Sequence, residues 1–165
     1  MKKIIGILCV LALVWACSND SETDDSVIVD PVEEVSFERS TMLVNWADNI
    51  IVPSYVTFKA DVDAMATATM QFTATPNQDN LDNLRTVWED TYISFQNVSL
   101  FEIGPAETAR FRNRLNVYPT NTTNIDDAIA SGSYDFALPS NITIQGFPAI
   151  DYLINGTAST DAEII

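Results

Sequence analysis

Between Ile51 and Val98 the apolar residues return at alternating intervals of three and four, and that spacing admits one kind of backbone. The first stripe is Ile51, Tyr55, Phe58, Val62, Met65, Thr69 and Phe72; the second is Leu81, Leu84, Trp88, Thr91 with Tyr92, Phe95 and Val98. Each set falls on one face of an α-helix, whereas a strand would scatter it over both faces. Thr75-Pro76-Asn77-Gln78 separates the stripes and carries helix-start signals, with Thr75 as the cap, Pro76 at the first helical position and Gln78 able to bond back. Two long amphipathic helices on so short a loop run antiparallel and bury their stripes against each other. The aromatic residues of the stripes are read as core rather than as the wall of a ligand pocket. The one alternating run, Ile142-Thr143-Ile144, is too short for a strand. The expected fold class is all-α, an antiparallel helical bundle and a partial one.

The same period extends upstream through Leu43, Trp46 and Ile50, and the stripe changes phase at Pro53. Proline lacks the N–H that an inner turn needs, so a kink or a split is expected there. Gly104-Pro105 closes the second long helix. A short helix is expected from Asn124 to Ser131, capped by Thr123 and stopped by Gly132, and a last one from Phe147 to Asn155, stopped by Gly156. Ser133 to Gln145 reads as loop.

The start of the chain has a different character. Met1-Lys2-Lys3 is followed by an apolar run from Ile4 to Trp15, then Ala16-Cys17. That run is too short to span a bilayer, which takes ~20 residues, and fits the hydrophobic part of a secretory leader. Val14-Trp15-Ala16-Cys17 resembles the lipobox of bacterial lipoproteins, with bulky Trp15 as a departure. The expectation is a signal peptide over residues 1–16 and a lipid on Cys17; the alternative is an ordinary leader cut near Ala16. Cys9 lies inside the leader, so the mature chain has one cysteine and no internal disulfide. Ser18 to Glu34 holds seven acids and no base, and residues 17–35 read as an acidic flexible linker. Its first half, SNDSETDD, resembles the acidic signal that sends some lipoproteins to the cell surface, although a plain solvated spacer has the same composition. The helical body is expected over residues 36–165.

Charge and histidine count exclude whole classes of chemistry. Lys plus Arg total 8 against 23 acids, a net charge of −15, and loss of Lys2 and Lys3 with the leader makes it −17. Such a chain repels phosphate backbones, so no nucleic-acid partner is expected. There is no histidine. Ser-His-Asp and Cys-His catalysis, HExxH zinc sites and histidine-ligated haem are therefore impossible within the chain. Arg110, Arg112 and Arg114 form the one basic cluster. Two readings stand: they balance part of the acidic surface, or they clamp a carboxylate or phosphate.

The segment Gly146-Phe147-Pro148-Ala149-Ile150-Asp151-Tyr152-Leu153-Ile154-Asn155-Gly156 resembles the signature of the imelysin family, the insulin-cleaving membrane protease-like proteins. That signature runs Gly-x-His-x-x-Glu, then Tyr-Leu-Leu and a closing Gly. Leu43-Val44-Asn45-Trp46, Val87-Trp88-Glu89, Tyr118-Pro119 and Ile125-Asp126 are similar too, so the resemblance covers roughly Ser36 to Gly156. It implies a pair of helical bundles in a longer chain, of which this sequence would be the N-terminal half, truncated. It also implies a divalent or ferric metal held by the His and Glu, which map onto Pro148 and Asp151. Spacing of i, i+3 puts both on one helix face, but Pro148 offers no ligand atom and a lone Asp151 binds weakly unless Asp48, Asp61, Asp63 or Glu89 joins it. The structural alternatives are Pro148 as a helix-starting residue and Asp151 as a carboxylate near a helix N-terminus. With the motif degenerate at Gly146, Pro148 and Asp151, no catalytic residue is assigned. The expected function is a non-catalytic binding or uptake lipoprotein at the outer membrane or cell surface, connected with iron and attached to the membrane by its lipid. The alternatives are a metallopeptidase of the imelysin type and a purely structural surface lipoprotein.

Overall fold

The computed structural model describes residues 37–165, so the leader, Cys17 and the acidic linker lie outside the described residues. The body, Glu38–Ile165, is built from helices, and no strand occurs among the described residues. It begins with α1 (Arg39–Trp46), a π-helical turn (Ala47–Ile51), α2 (Val52–Ala74) and α3 (Gln78–Val98). Then come α4 (Pro105–Thr108), α5 (Phe111–Leu115), α6 (Thr122–Ser131) and a 3-10 turn (Pro139–Ile144). The chain closes with α7 (Phe147–Asp151), a second π-helical turn (Tyr152–Gly156) and α8 (Asp161–Ile164). No helix among the described residues is long and apolar enough to cross a membrane.

The antiparallel pair α2 and α3 is the frame, and its stripes pack as the spacing requires. Phe58, Phe95, Val98 and Phe147 form one buried cluster; Ala68, Leu81, Leu84 and Ile154 form a second. Met65 and Trp88 touch both clusters and join them. Leu81 and Val98 are wholly buried, each worth roughly 1.5–3 kcal/mol of transfer free energy. Thr91, also wholly buried, donates its hydroxyl to the Val87 carbonyl at 2.7 Å, with the Asp61 carbonyl of α2 at 3.1 Å. A polar residue on the stripe is thus satisfied at the helix–helix seam.

Of the kink or split expected at Pro53, the split does not occur. The π turn just before it absorbs the proline, with the Val52 N–H reaching back five residues to the Ala47 carbonyl. The Ser54 hydroxyl donates to the Ile50 carbonyl at 2.6 Å, an i to i−4 bond within the helix. One extra residue in a turn also explains the phase change of the stripe. Two expected caps are corrected. The helix α3 starts at Gln78 rather than Pro76: Asn77 is the cap, accepting from the Asn80 N–H at 2.8 Å, and Thr75 ends α2. Asn121 likewise replaces Thr123 as the cap of α6. An Asn side chain reaches the orphan N–H of N3 whenever its own backbone is extended, as at Asn77. The upstream stripe is helical, as its spacing requires, and lies on the surface: α1 buries no residue, and Leu43, Trp46 and Ile50 are each more than 40% exposed.

The segment expected as loop after Ser133 contains the 3-10 turn, which Pro139 opens. The last helix has the expected extent, but its second half is π-helical. Gly132 does stop α6, at φ +64 in the left-handed region. Gly156 stops nothing by that means, since its φ is not positive. A Cβ there would lie 2.6 Å from Cδ2 of Tyr152, so glycine leaves room for that ring.

Candidate functional site

The motif segment is fastened to the frame from both ends. At its start, Gly146 has φ +81 and ψ −170, a conformation open essentially to glycine alone. An added Cβ would fall 2.6 Å from the Leu115 carbonyl carbon and 2.8 Å from the Arg114 carbonyl oxygen. Glycine therefore lets α7 begin against the end of α5. Phe147 follows at once and is buried, its ring 5.1 Å from Tyr92 and 5.3 Å from Phe95, centroid to centroid. The Trp88 indole N–H donates to the Phe147 carbonyl at 3.3 Å.

At the other end, Arg85 of α3 holds the π turn and α8 together. Its guanidinium donates through Nε and Nη2 to the Ile154 carbonyl, at 3.1 and 2.8 Å, and forms a two-pronged pair with Asp161 at 2.8 and 2.7 Å. Gln78 donates to the same Asp161 carboxylate at 2.9 Å. These donors favour the ionised carboxylate and hold the Asp161 pKa down to about 2, while the bond to Asp161 raises that of Arg85.

Between these anchors Pro148, Asp151, Tyr152, Asn155 and Gly156 line a hollow of about 240 Å³, closed by Tyr118 and Thr120. The i, i+3 spacing thus delivers Pro148 and Asp151 to one concavity, as the motif requires. Thr120 is set there by its hydroxyl, which donates to the Thr143 carbonyl at 2.8 Å. Asp151 is exposed and accepts from the Asn155 amide at 2.8 Å. Tyr152 donates its hydroxyl to Asp126 of α6, at 2.9 and 3.1 Å from the two oxygens. That bond is the main reason the Tyr152 pKa is raised above 10, with a smaller contribution from burial. A phenol held in its neutral form is a hydrogen-bond donor and no nucleophile at neutral pH.

A resident metal does not fit the donors of this segment. Pro148 offers ring carbons, and one Asp151 oxygen is engaged by Asn155. Asp48, Asp61, Asp63 and Glu89 do not come to its aid, because no group of three or more acids or cysteines among the described residues is placed to hold an ion. Asp63 is instead paired with Lys59 at 2.6 Å on the surface of α2. Pro148 takes its structural place in the first turn of α7; Asp151 does not, being the last residue of α7 rather than a carboxylate of its first turn, and there it accepts a bond from Asn155 within the helix. Sequence reasoning missed Tyr152 with Asp126 and Arg85 with Asp161, pairs that are far apart in the chain and follow no local spacing.

An all-helical frame carrying the segment from Gly146 to Gly156 defines an all-α protein of the kind that the resemblance of this segment implies. Residues 51–164 match the family model of imelysin, peptidase M75, over more than half of the sequence, and the chain belongs to the imelysin family. It is similar to iron-regulated protein A of Synechococcus elongatus, 25% identical over 85 residues. That stretch is 52% of this chain and 24% of the relative, so the chain spans about a quarter of the relative's length. No solved structure matches it.

Proposed function

We propose that the chain acts as a non-catalytic binding or uptake component connected with iron, exported and lipid-anchored through Cys17 at the outer membrane or cell surface. The observation that carries the non-catalytic reading is the altered motif. Proline stands where the family's histidine would, and the carboxylate three residues on is hydrogen-bonded to Asn155. A zinc hydrolase needs nitrogen or sulfur ligands and an activated water. The chain contains no histidine, and its one cysteine outside the leader is the lipidation candidate. The connection with iron is supported by family membership and by the relative named iron-regulated protein A. The anchor is supported by the apolar run ending at Ala16-Cys17.

The test has three arms. The purified chain is incubated with insulin with and without a chelator; no cleavage is expected, and chelator-sensitive cleavage would favour the metallopeptidase instead. Cells are labelled with a radioactive fatty acid; label on the wild type and none on Cys17→Ser is expected. Protein level is followed through iron starvation; a change in level is expected, and an unchanged level would leave a purely structural lipoprotein as the better reading.

A further inference from the structure

In a chain with 23 acids and 8 bases, every base has carboxylates to choose from. Among the described residues Lys59 pairs with Asp63, Arg85 with Asp82 and Asp161, and Arg112 with Glu102 at 3.5 Å. Arg110 and Arg114 form no such pair, and neither does Arg39 at the start of α1. Charge balance therefore accounts for the middle arginine of the cluster and not for its two neighbours.

Arg110 and Arg114 line one concavity of about 200 Å³, whose remaining wall is Phe136, Ala137, Leu138, Pro139, Ile142 and Gln145. The wall is apolar except for one carboxamide. Its placement is built into the fold. Arg110 caps α5 with φ +51 and ψ +47, the one non-glycine residue with positive φ among the described residues. That conformation costs an L-residue about 1 kcal/mol, and Asn or Gly would hold it more easily. Four residues on, the Arg114 N–H donates to the Arg110 carbonyl at 3.0 Å, closing the turn that carries both. Gly146 clamps the Arg114 and Leu115 backbone from behind, and Gln145 leads directly into it.

We propose that this concavity binds a small organic carboxylate, with Arg110 and Arg114 on the anionic head and the apolar wall against its body. Guanidinium groups match a carboxylate through parallel N–H donors. Inorganic phosphate would satisfy the arginines but leave the apolar wall without a partner. A neutral apolar molecule would fill the wall and leave both charges unmatched. The volume lies below the ~300–1,000 Å³ of drug-sized ligand sites, which suits a short chain or a single ring. The negative field of the whole protein opposes any anion at long range, but over ~8 Å at physiological salt it is screened, and the contacting arginines decide. This inference stands apart from the iron connection.

The experiment is a calorimetric titration of the purified chain with 3-phenylpropionate, hexanoate, 3-phenylpropionamide and inorganic phosphate. Saturable binding of the two carboxylates is expected, with the amide and phosphate at least tenfold weaker. Arg114→Gln, and separately Arg110→Asn, which tolerates the left-handed backbone, should each weaken the carboxylates at least tenfold. Unchanged far-UV circular dichroism confirms that each variant is folded. No saturable carboxylate binding to the wild type would overturn the proposal. So would equal affinity for the amide or for phosphate, or a folded Arg114→Gln that binds as the wild type does.

Discussion

Gly146 lies against the backbone of Leu115 so closely that a single added carbon would stand 2.6 Å from the Leu115 carbonyl carbon. The motif's first residue is therefore a packing requirement between α7 and α5, separate from any ligand chemistry. Gly146→Ala meets two penalties, a φ of +81 that L-residues rarely adopt and a collision with backbone that has no side chain to swing aside. Each costs roughly 1–3 kcal/mol, so a loss of about 3 kcal/mol or more is expected by urea denaturation. Gly132→Ala serves as the comparison. Its φ is also positive, but nothing lies within 4 Å of the added carbon, so its loss should be clearly smaller.

The clamp of Arg85 on Asp161 gives a pH dependence with a definite sign. The folded-state pKa of Asp161 is about 2, below its ordinary 3.8, because Arg85 and Gln78 donate to the ionised form. A depressed carboxylate contributes stability that is present above its unfolded pKa and is lost as pH falls through the folded one. The contribution should therefore be complete near pH 5 and fade between about pH 4 and 2. Unfolding free energy measured across that window for Asp161→Asn should fall less steeply than for the wild type. Equal slopes would mean that the pair does not form in solution.

Tyr152 has the opposite dependence. Its neutral hydroxyl donates to Asp126, which raises its pKa above 10. Stability from this bond is fully present below pH 10 and is lost as pH rises through the raised value. In a spectrophotometric titration the wild type should show one tyrosine ionising late whose absorbance change returns to the ordinary range in Asp126→Asn. Tyr55, whose pKa is also raised, keeps its own late step in that variant because burial is the larger cause there.

What the sequence made legible was the long hairpin, because helical period is a local property repeated many times. Phe58, Leu81, Leu84, Phe95 and Val98 lie on the two long stripes and are buried. Leu43, Trp46 and Ile50 share the helical spacing and do lie in α1 and the π turn, yet all three are exposed. Periodicity says that a face is apolar and is silent on whether another element covers it. Caps were displaced by two residues at Gln78 and Thr122 because several neighbouring residues could accept the same orphan N–H, and backbone angles decide among them. At the motif, the shared face of Pro148 and Asp151 was legible from i, i+3 spacing. The role of Gly146 was not, because its cause is Leu115, thirty-one positions away. Arg85 with Asp161 and Tyr152 with Asp126 are hidden for the same reason, being contacts that the fold makes and no short pattern encodes.

Phe147 is the residue through which the motif segment enters the core, and its removal tests whether that segment holds the hairpin or merely rests on it. Its ring lies between 5.1 and 6.5 Å from those of Phe58, Trp88, Tyr92 and Phe95, which come from both α2 and α3. If the segment holds the two helices, Phe147→Ala opens a cavity at the point where they meet and costs about 3–5 kcal/mol. Phe147→Leu keeps most of the volume and should cost about half as much or less. Near-UV circular dichroism adds a readout that stability alone lacks. Trp88 is fixed by its bond to the Phe147 carbonyl and by stacking on Tyr92 at 5.5 Å, so its signal should weaken in the alanine variant and persist in the leucine one. A folded Phe147→Ala with wild-type stability and an unaltered tryptophan signal would mean that α2 and α3 pack without the motif helix.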